Sequence, residues 1–297
     1  MTEPALKGVL LAGLPETGKT TFLGALAHSI TSGELDTAMK EAGFPEEREY
    51  LMQLAERWQS CEKMVRTRTE DEGEVELHLK DEDGVLSIVV PDLAGEAWRD
   101  FWSRRQCSVK LFDHAENSGG LLFFIHSDIG PKPMPISILN GFKLTSDTDT
   151  DTDTDTDTDT DTGLNSDANS SEVDYSEEWD AELHVPTQAT VVDILQTLAR
   201  YSSYRKLGII VSAWEKISGD VTPEDYLKEE MPLLHQYLYS AFDYPNWKVY
   251  GVSAQGGELT EDVERLASMD VPTKRIIVQD GVDKSHDITL PLQWVLR

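Results

Sequence analysis

The stretch Gly13-Leu-Pro-Glu-Thr-Gly-Lys-Thr20 has the spacing G-x-x-x-x-G-K-[ST], and with its flanks it constrains the fold more than any other part of the chain. Before it, Gly8-Val-Leu-Leu-Ala-Gly13 has the character of a buried strand. After it, Thr21-Phe-Leu-Gly-Ala-Leu-Ala-His-Ser-Ile30 reads as a helix. A strand that delivers a glycine-rich turn to a helix N-terminus converges backbone N–H groups, and the positive end of the helix, on one point. Such a point binds the β-phosphate of a nucleotide. Lys19 is spaced to reach the β- and γ-phosphates, and the Thr20 hydroxyl to bind Mg²⁺. Gly13, Glu16, Thr17, Gly18, Lys19, Thr20 and Thr21 are therefore candidate nucleotide contacts. The Glu16 carboxylate must point away from phosphate or meet a cation. Pro15 can stiffen the turn if its missing N–H is not one used on phosphate.

Composition sets the bounds. The chain has 297 residues, 39% of them hydrophobic, enough for a sizeable core. Its formal charge is −29, and without the eight aspartates of one Asp-Thr tract it still carries 47 acids against 26 basic residues. Such a field repels phosphodiester backbones and anionic lipid, so neither nucleic acid nor membrane is expected as a direct partner. It does not forbid a nucleotide, where local amides, Lys19 and Mg²⁺ outweigh distant charge. Cys61 and Cys107 cannot build a disulfide framework and lack metal-ligand spacing, so reduced thiols in a cytoplasmic protein are expected. The first strand begins within ten residues of Met1, which leaves no signal peptide to read there.

Alternating strand and helix patterns give the organisation. Residues 34–64 are rich in helix formers and read as a helical insertion before the second strand. Val75–Leu79 and Val85–Val90, joined by Asp81-Glu-Asp-Gly84, read as an antiparallel hairpin. Ala97 to Phe112 reads as largely helical, and Gly120–Ile125 as a buried strand. Residues 127–186 hold a proline-rich patch, the tract Asp147–Thr162 and a Ser/Asn/acid-rich tail; this composition builds no packed core and reads as a disordered insertion. The tract lacks the glycine and distal glutamate of a Ca²⁺ loop, which makes it a solvated spacer. Beyond it come a helix over Val191–Arg200, a strand over Leu207–Val211, one long helix over Pro223–Phe242, a strand over Trp247–Val252 and a helix over Glu258–Met269. The expected fold is a three-layer α/β domain formed by residues 1–126 and 187–297, its sheet mainly parallel with one antiparallel hairpin strand.

Further motifs fall at strand ends. Asp92-Leu-Ala-Gly95 follows the strand ending at Val90, where an aspartate can hold Mg²⁺ through water and a glycine N–H can contact the γ-phosphate. Ser212-Ala-Trp-Glu215 follows Val211, where Ras-like GTPases carry Asn/Thr-Lys-x-Asp. A carboxylate at Glu215 can accept from guanine N1–H and N2–H₂, a donor pair adenine lacks. Ser253-Ala-Gln255 follows Val252 and matches the Ser-Ala-Lys loop whose backbone supports guanine. Ser212 and Ala213 depart from the usual residues, which bears on guanine selectivity.

In this order, Gly13–Thr20, Asp92–Gly95, Ser212–Glu215 and Ser253–Gln255 resemble a Ras-like P-loop GTPase of the translation-factor-related class. Through Asp193-Ile-Leu-Gln196, Ser212–Glu215 and Ser285-His-Asp-Ile-Thr-Leu-Pro-Leu-Gln-Trp294, the chain is similar to the bacterial double-GTPase family predicted in conflict and anti-phage systems. The resemblance implies a Mg²⁺-dependent switch that hydrolyses GTP to GDP and phosphate, slowly without a partner. It also implies a protein partner, either a second GTPase or an effector of the same system. Gly95, Ser212, Glu215, Ser253, Ala254 and Gln255 join the candidate nucleotide contacts; Thr20, Thr67 and Asp92 are the candidate metal ligands. Lys19, Glu96 and Arg66 are the candidate catalytic residues: Glu96 stands where many GTPases orient water with Gln, and Arg66 is a candidate arginine finger in cis, with Arg68 and Thr69 as second choices for finger and switch threonine. A P-loop ATPase, or an interaction module that holds nucleotide without hydrolysing it, remain open alternatives.

Overall fold

A computed structural model describes residues 8–43, 48–64, 75–81, 84–90, 96–128, 130, 132–133, 184–202, 204–243 and 245–297. By its internal contacts the chain divides into residues 1–130 with 187–297, and residues 131–186; the architecture below is that of the first unit. The tract Asp147–Thr162 lies outside the described residues.

In chain order the elements are β1 (Gly8–Gly13), α1 (Lys19–Ser32), β2 (Lys40–Gly43), α2 (Arg48–Gln59), β3 (Val75–Asp81), β4 (Gly84–Val90), α3 (Glu96–Arg104), α4 (Val109–Asn117) and β5 (Ser118–His126). They continue with α5 (Thr187–Tyr201), β6 (Lys206–Ser212), a 3₁₀ turn (Trp214–Lys216), α6 (Pro223–Glu230), α7 (Pro232–Ala241), β7 (Trp247–Ser253), α8 (Val263–Ala267), a second 3₁₀ turn (Pro272–Arg275), β8 (Ile277–Asp280), β9 (Asp283–Ser285) and α9 (Leu290–Leu296).

The strands form one sheet in the order β2-β3-β4-β1-β5-β6-β7-β8-β9. Its centre, β4-β1-β5-β6-β7, is parallel. Alternate side chains of each central strand point to opposite faces. Val9 and Leu11 of β1 therefore join Phe22, Leu26, Leu54, Trp58, Leu292 and Val295 on the face covered by α1, α2 and α9. Leu10 and Ala12 join Trp98, Leu111, Val191, Leu195, Leu227 and Leu234 under α3 to α7. Both faces are covered, which is why the central strands read as continuous apolar runs. Trp58 and Trp98 are core residues, not surface aromatics.

Several elements differ from expectation, each for a local reason. Besides the expected β3–β4 hairpin, antiparallel pairs β2–β3, β7–β8 and β8–β9 extend both edges of the sheet. Residues 34–64 hold edge strand β2 as well as helix α2. The helix expected over Ala97–Phe112 is broken: Arg105 takes φ 56°, and Ser108 restarts the chain as a cap by accepting from Leu111 N at 3.1 Å. The long helix expected over Pro223–Phe242 is two helices. Pro232 lacks an N–H and pushes Met231 out of helical geometry, to φ −131° and ψ 59°. The helix expected over Glu258–Met269 shortens to α8, because residues 258–262 are used to brace the loop after β7.

The sheet topology creates a crevice. From β1 the chain fills positions on one side as far as β4, then crosses β1 to continue with β5 on the other. Loops at the carboxyl ends of neighbouring strands diverge at such a reversal.

Candidate functional site

β1 ends at the loop 13–18, whose shape depends on two glycines. Gly13 has φ 151°, and a Cβ there would come within 2.6 Å of the Phe124 carbonyl. Gly18 has φ 82° and ψ 9°, and a Cβ there would press on Ser212 Cβ at 3.2 Å. Gly18 is also the N-cap of α1 and offers no side-chain cap. First-turn amides of a helix lack intrahelical carbonyls, so this end is built to receive an acceptor from outside. Glu16, in the left-handed conformation at φ 62°, is exposed.

Lys19 is only 4% exposed. Its ammonium donates to the carbonyls of Gly13 (2.7 Å) and Leu14 (2.8 Å) and to Thr17 Oγ1 (3.3 Å). Thr17 in turn donates to the Leu14 carbonyl at 2.8 Å. The lysine thus spans its own loop, which fixes the loop's curvature and holds a positive charge at its mouth.

The second wall comes from the ends of β6 and β7. Ser212 Oγ donates to the Ile125 carbonyl at 3.2 Å, and Ser127 returns bonds to the Ser212 carbonyl (N, 3.1 Å) and the Ala213 carbonyl (Oγ, 2.9 Å). Ala213 has φ 51° and starts the 3₁₀ turn. Trp214 is 6% exposed; its Nε1 donates to Gln279 Oε1 at 2.9 Å, and its ring lies where a Cβ on Gly251 would come within 2.3 Å. That wedge fixes the turn from which Glu215 projects. After β7, the fully buried Ser253 accepts from Gly256 N at 3.1 Å and curls the loop carrying Ala254 and Gln255.

These walls enclose a cavity of about 620 Å³. It is lined by Glu16, Thr17, Gly18, Lys19, Thr20 and Thr21 from the loop after β1, and by Ser212, Glu215, Ala254 and Gln255 from the loops after β6 and β7. Gly13 and Ser253 are not in its lining. Among the described residues, Glu215 Oε2 and Gln255 Nε2 are buried with no hydrogen-bond partner. Buried polar atoms nearly always have partners, so two orphans on residues lining one cavity mark it as a place for a polar ligand. Arg66 and Thr67, with Arg68 and Thr69, lie outside the described residues, as do Asp92 and Gly95; Glu96 is the first residue of α3. Among the described residues, no group of three or more His, Cys, Asp or Glu is arranged to hold a metal ion.

The cavity also has walls that motif reading did not reach: His126, Lys216, Glu258 and, beyond the end of α2, Glu62, Lys63 and Met64. Behind the loop after β7, Arg275 is buried, with its guanidinium 3.8 Å from the centroid of Trp58. Burial lowers the Arg275 pKa, against the opposing pull of Cys61 and Glu34.

A central parallel sheet with a phosphate-type loop at its reversal point, opening into a cavity between β1, β6 and β7, defines a P-loop nucleotide-binding domain. Residues 10–295 match the family model Double-GTPase 1, so the chain belongs to that family. Structural similarity is found to a crystal structure of sup35 complexed with GDP, at 11% identity and a TM-score of 0.35, over 87% of this chain and 39% of that one. It is also found to translation elongation factor SelB from Methanococcus maripaludis with the GTP analogue GppNHp, at 11% identity and a TM-score of 0.36, over 89% of this chain and 34% of that one. The chain thus spans well under half the length of either. No curated protein matches it in sequence. Among the described residues, no helix is long and apolar enough to cross a membrane.

Proposed function

We propose that the chain binds GTP in this cavity, phosphates toward Lys19 and base toward Glu215, and hydrolyses it to GDP and phosphate as a switch. One observation carries the reading: Lys19, with its looped ammonium, and Glu215, with its unpartnered Oε2, come from different loops and line a single cavity. A triphosphate needs cations and amides; a guanine base needs an acceptor for N1–H and N2–H₂. Thr20 lines the phosphate end and would hold Mg²⁺ through its hydroxyl, and the ion when bound neutralises charge on the β- and γ-oxygens. Thr67 and Asp92 complete the proposed metal ligands. Arg66 and Glu96 are proposed for the hydrolytic step, as charge stabiliser and water-orienting group.

The switch reading requires a partner whose interface reads the nucleotide state, and we assign that partner to protein, either a second GTPase or an effector. A part in bacterial anti-phage conflict is supported by the family resemblance alone, and a place in the cytoplasm by the two cysteines read as reduced thiols. Phosphate release from purified protein with Mg²⁺·GTP tests the enzymatic reading. Slow release that disappears in Lys19→Ala supports it; GTP retained unhydrolysed over hours contradicts it in favour of a nucleotide-holding interaction module.

A further inference from the structure

Lys216 Nζ and Glu258 Oε1 are 2.6 Å apart, and both residues line the cavity, at its base end. We propose that this ion pair is a clasp that closes the base end of the cavity and slows nucleotide release; the inference rests on the nucleotide reading above.

The two halves come from different loops. Lys216 ends the 3₁₀ turn after β6, and Glu258 lies beyond the loop after β7. Each backbone is held from behind. Lys216 N donates to the Ala213 carbonyl at 3.1 Å, on the turn wedged by Trp214. Glu258 N donates to Asp262 Oδ2 at 3.1 Å, and its carbonyl accepts from Asp262 N at 2.8 Å. Asp262 is paired with Arg265, whose Nη2 donates to the Gly256 carbonyl at 3.0 Å. Opening the clasp therefore needs only side-chain rotation, with no loop rearrangement.

A cover is needed at this place. Related GTPases are expected to carry a lysine where this chain has Ala213, and a methyl group is too short to lie along a base. Lys216, three residues on in the same turn, supplies the missing alkyl chain, and Glu258 tethers its end across the opening. The hydrogen bond that Lys216 donates to Glu258 raises the Lys216 pKa, with the charges of Glu258, Asp128 and Glu215 adding to it, so the ammonium stays charged. Lys216 and Glu258 are 39% and 44% exposed, however. An exposed pair contributes little free energy, so the clasp modulates a rate by a small factor and is weakened by salt.

The test is a chase experiment on the full chain. Protein is loaded with N-methylanthraniloyl-GDP, and release is followed by fluorescence after excess unlabelled GDP is added. Lys216→Ala and Glu258→Gln each accelerate release about twofold to fivefold. The double variant is no faster than either single, as expected for two residues acting as one pair. Lys216→Arg, which keeps the ion pair, releases at the wild-type rate. Release at the wild-type rate from both single variants overturns the clasp, as do effects that multiply in the double variant. Wild-type protein that takes up no nucleotide overturns the nucleotide reading itself, and the clasp with it.

Discussion

The indole Nε1 of Trp58 donates to the carbonyl of Ala254 at 2.8 Å, joining the end of α2 to the loop at the base end of the cavity. Arg275 locks the junction. Its guanidinium covers the Trp58 ring and bonds the carbonyl of Trp58, the carbonyl of Gln59 at 3.5 Å and Cys61 Sγ at 2.8 Å. His28 also packs against Trp58, at 5.0 Å between ring centroids. The loop that would carry the base is thus set by α2, through residues distant in sequence.

Trp58→Phe keeps most of the packing but removes the donor, leaving a buried carbonyl without it. The expected loss is about 1–3 kcal/mol of stability, measured by urea unfolding, together with weaker nucleotide binding. Unchanged stability and affinity would show that Ala254 needs no such support.

Glu215→Ala removes the carboxylate assigned to the base. Preference for GTP over ATP should fall by about tenfold or more, the worth of a hydrogen-bonded charge. Competition of ATP against labelled GTP measures it. Undiminished selectivity would discard the base assignment and favour an ATPase.

Glu34 gives a pH dependence with a definite sign. Partial burial pushes its pKa up, but the Thr273 N–H (3.0 Å), the Thr273 hydroxyl (2.8 Å) and His28 outweigh this and hold it below the usual 4.5. A carboxylate lowered in the folded state stabilises the fold above its unfolded pKa, and the contribution fades as pH falls through the lower folded value. Stability should therefore drop below pH 4.5. Glu34→Gln should lose about 1–2 kcal/mol at neutral pH and flatten the acid slope. An identical slope in denaturant unfolding across that range contradicts the assignment.

Deleting Asp147–Thr162 should leave melting temperature and nucleotide affinity unchanged, because eight Asp-Thr pairs offer no apolar surface for a core. Thermal unfolding and a binding titration check this together; loss of either overturns the spacer reading.

Local chemistry made much of this molecule legible. The run Gly8–Gly13, the glycines at 13 and 18, and the apolar stretches of β5, β6 and β7 each declare a buried strand or a phosphate-type turn without outside help. Motif order then brought Glu215 and Gln255 to the same cavity as Lys19. What escaped depends on long-range contacts. Edge strands β2 and β9, and β8 next to the edge, are short, their residues carry little periodicity, and pairing alone makes them strands. Pro232 was visible, yet the amphipathic pattern runs through it and hid the break. Lys216, Glu258 and Arg275 carry no motif; they acquire meaning only when the loops after β6 and β7 meet.

Calorimetric titration of Mg²⁺·GTP into nucleotide-stripped protein, with Lys19→Ala measured alongside, tests the central claim most directly. The account predicts saturable uptake by the wild-type chain and none by the variant. Absence of uptake by folded wild-type protein, or equal uptake by both, would contradict it.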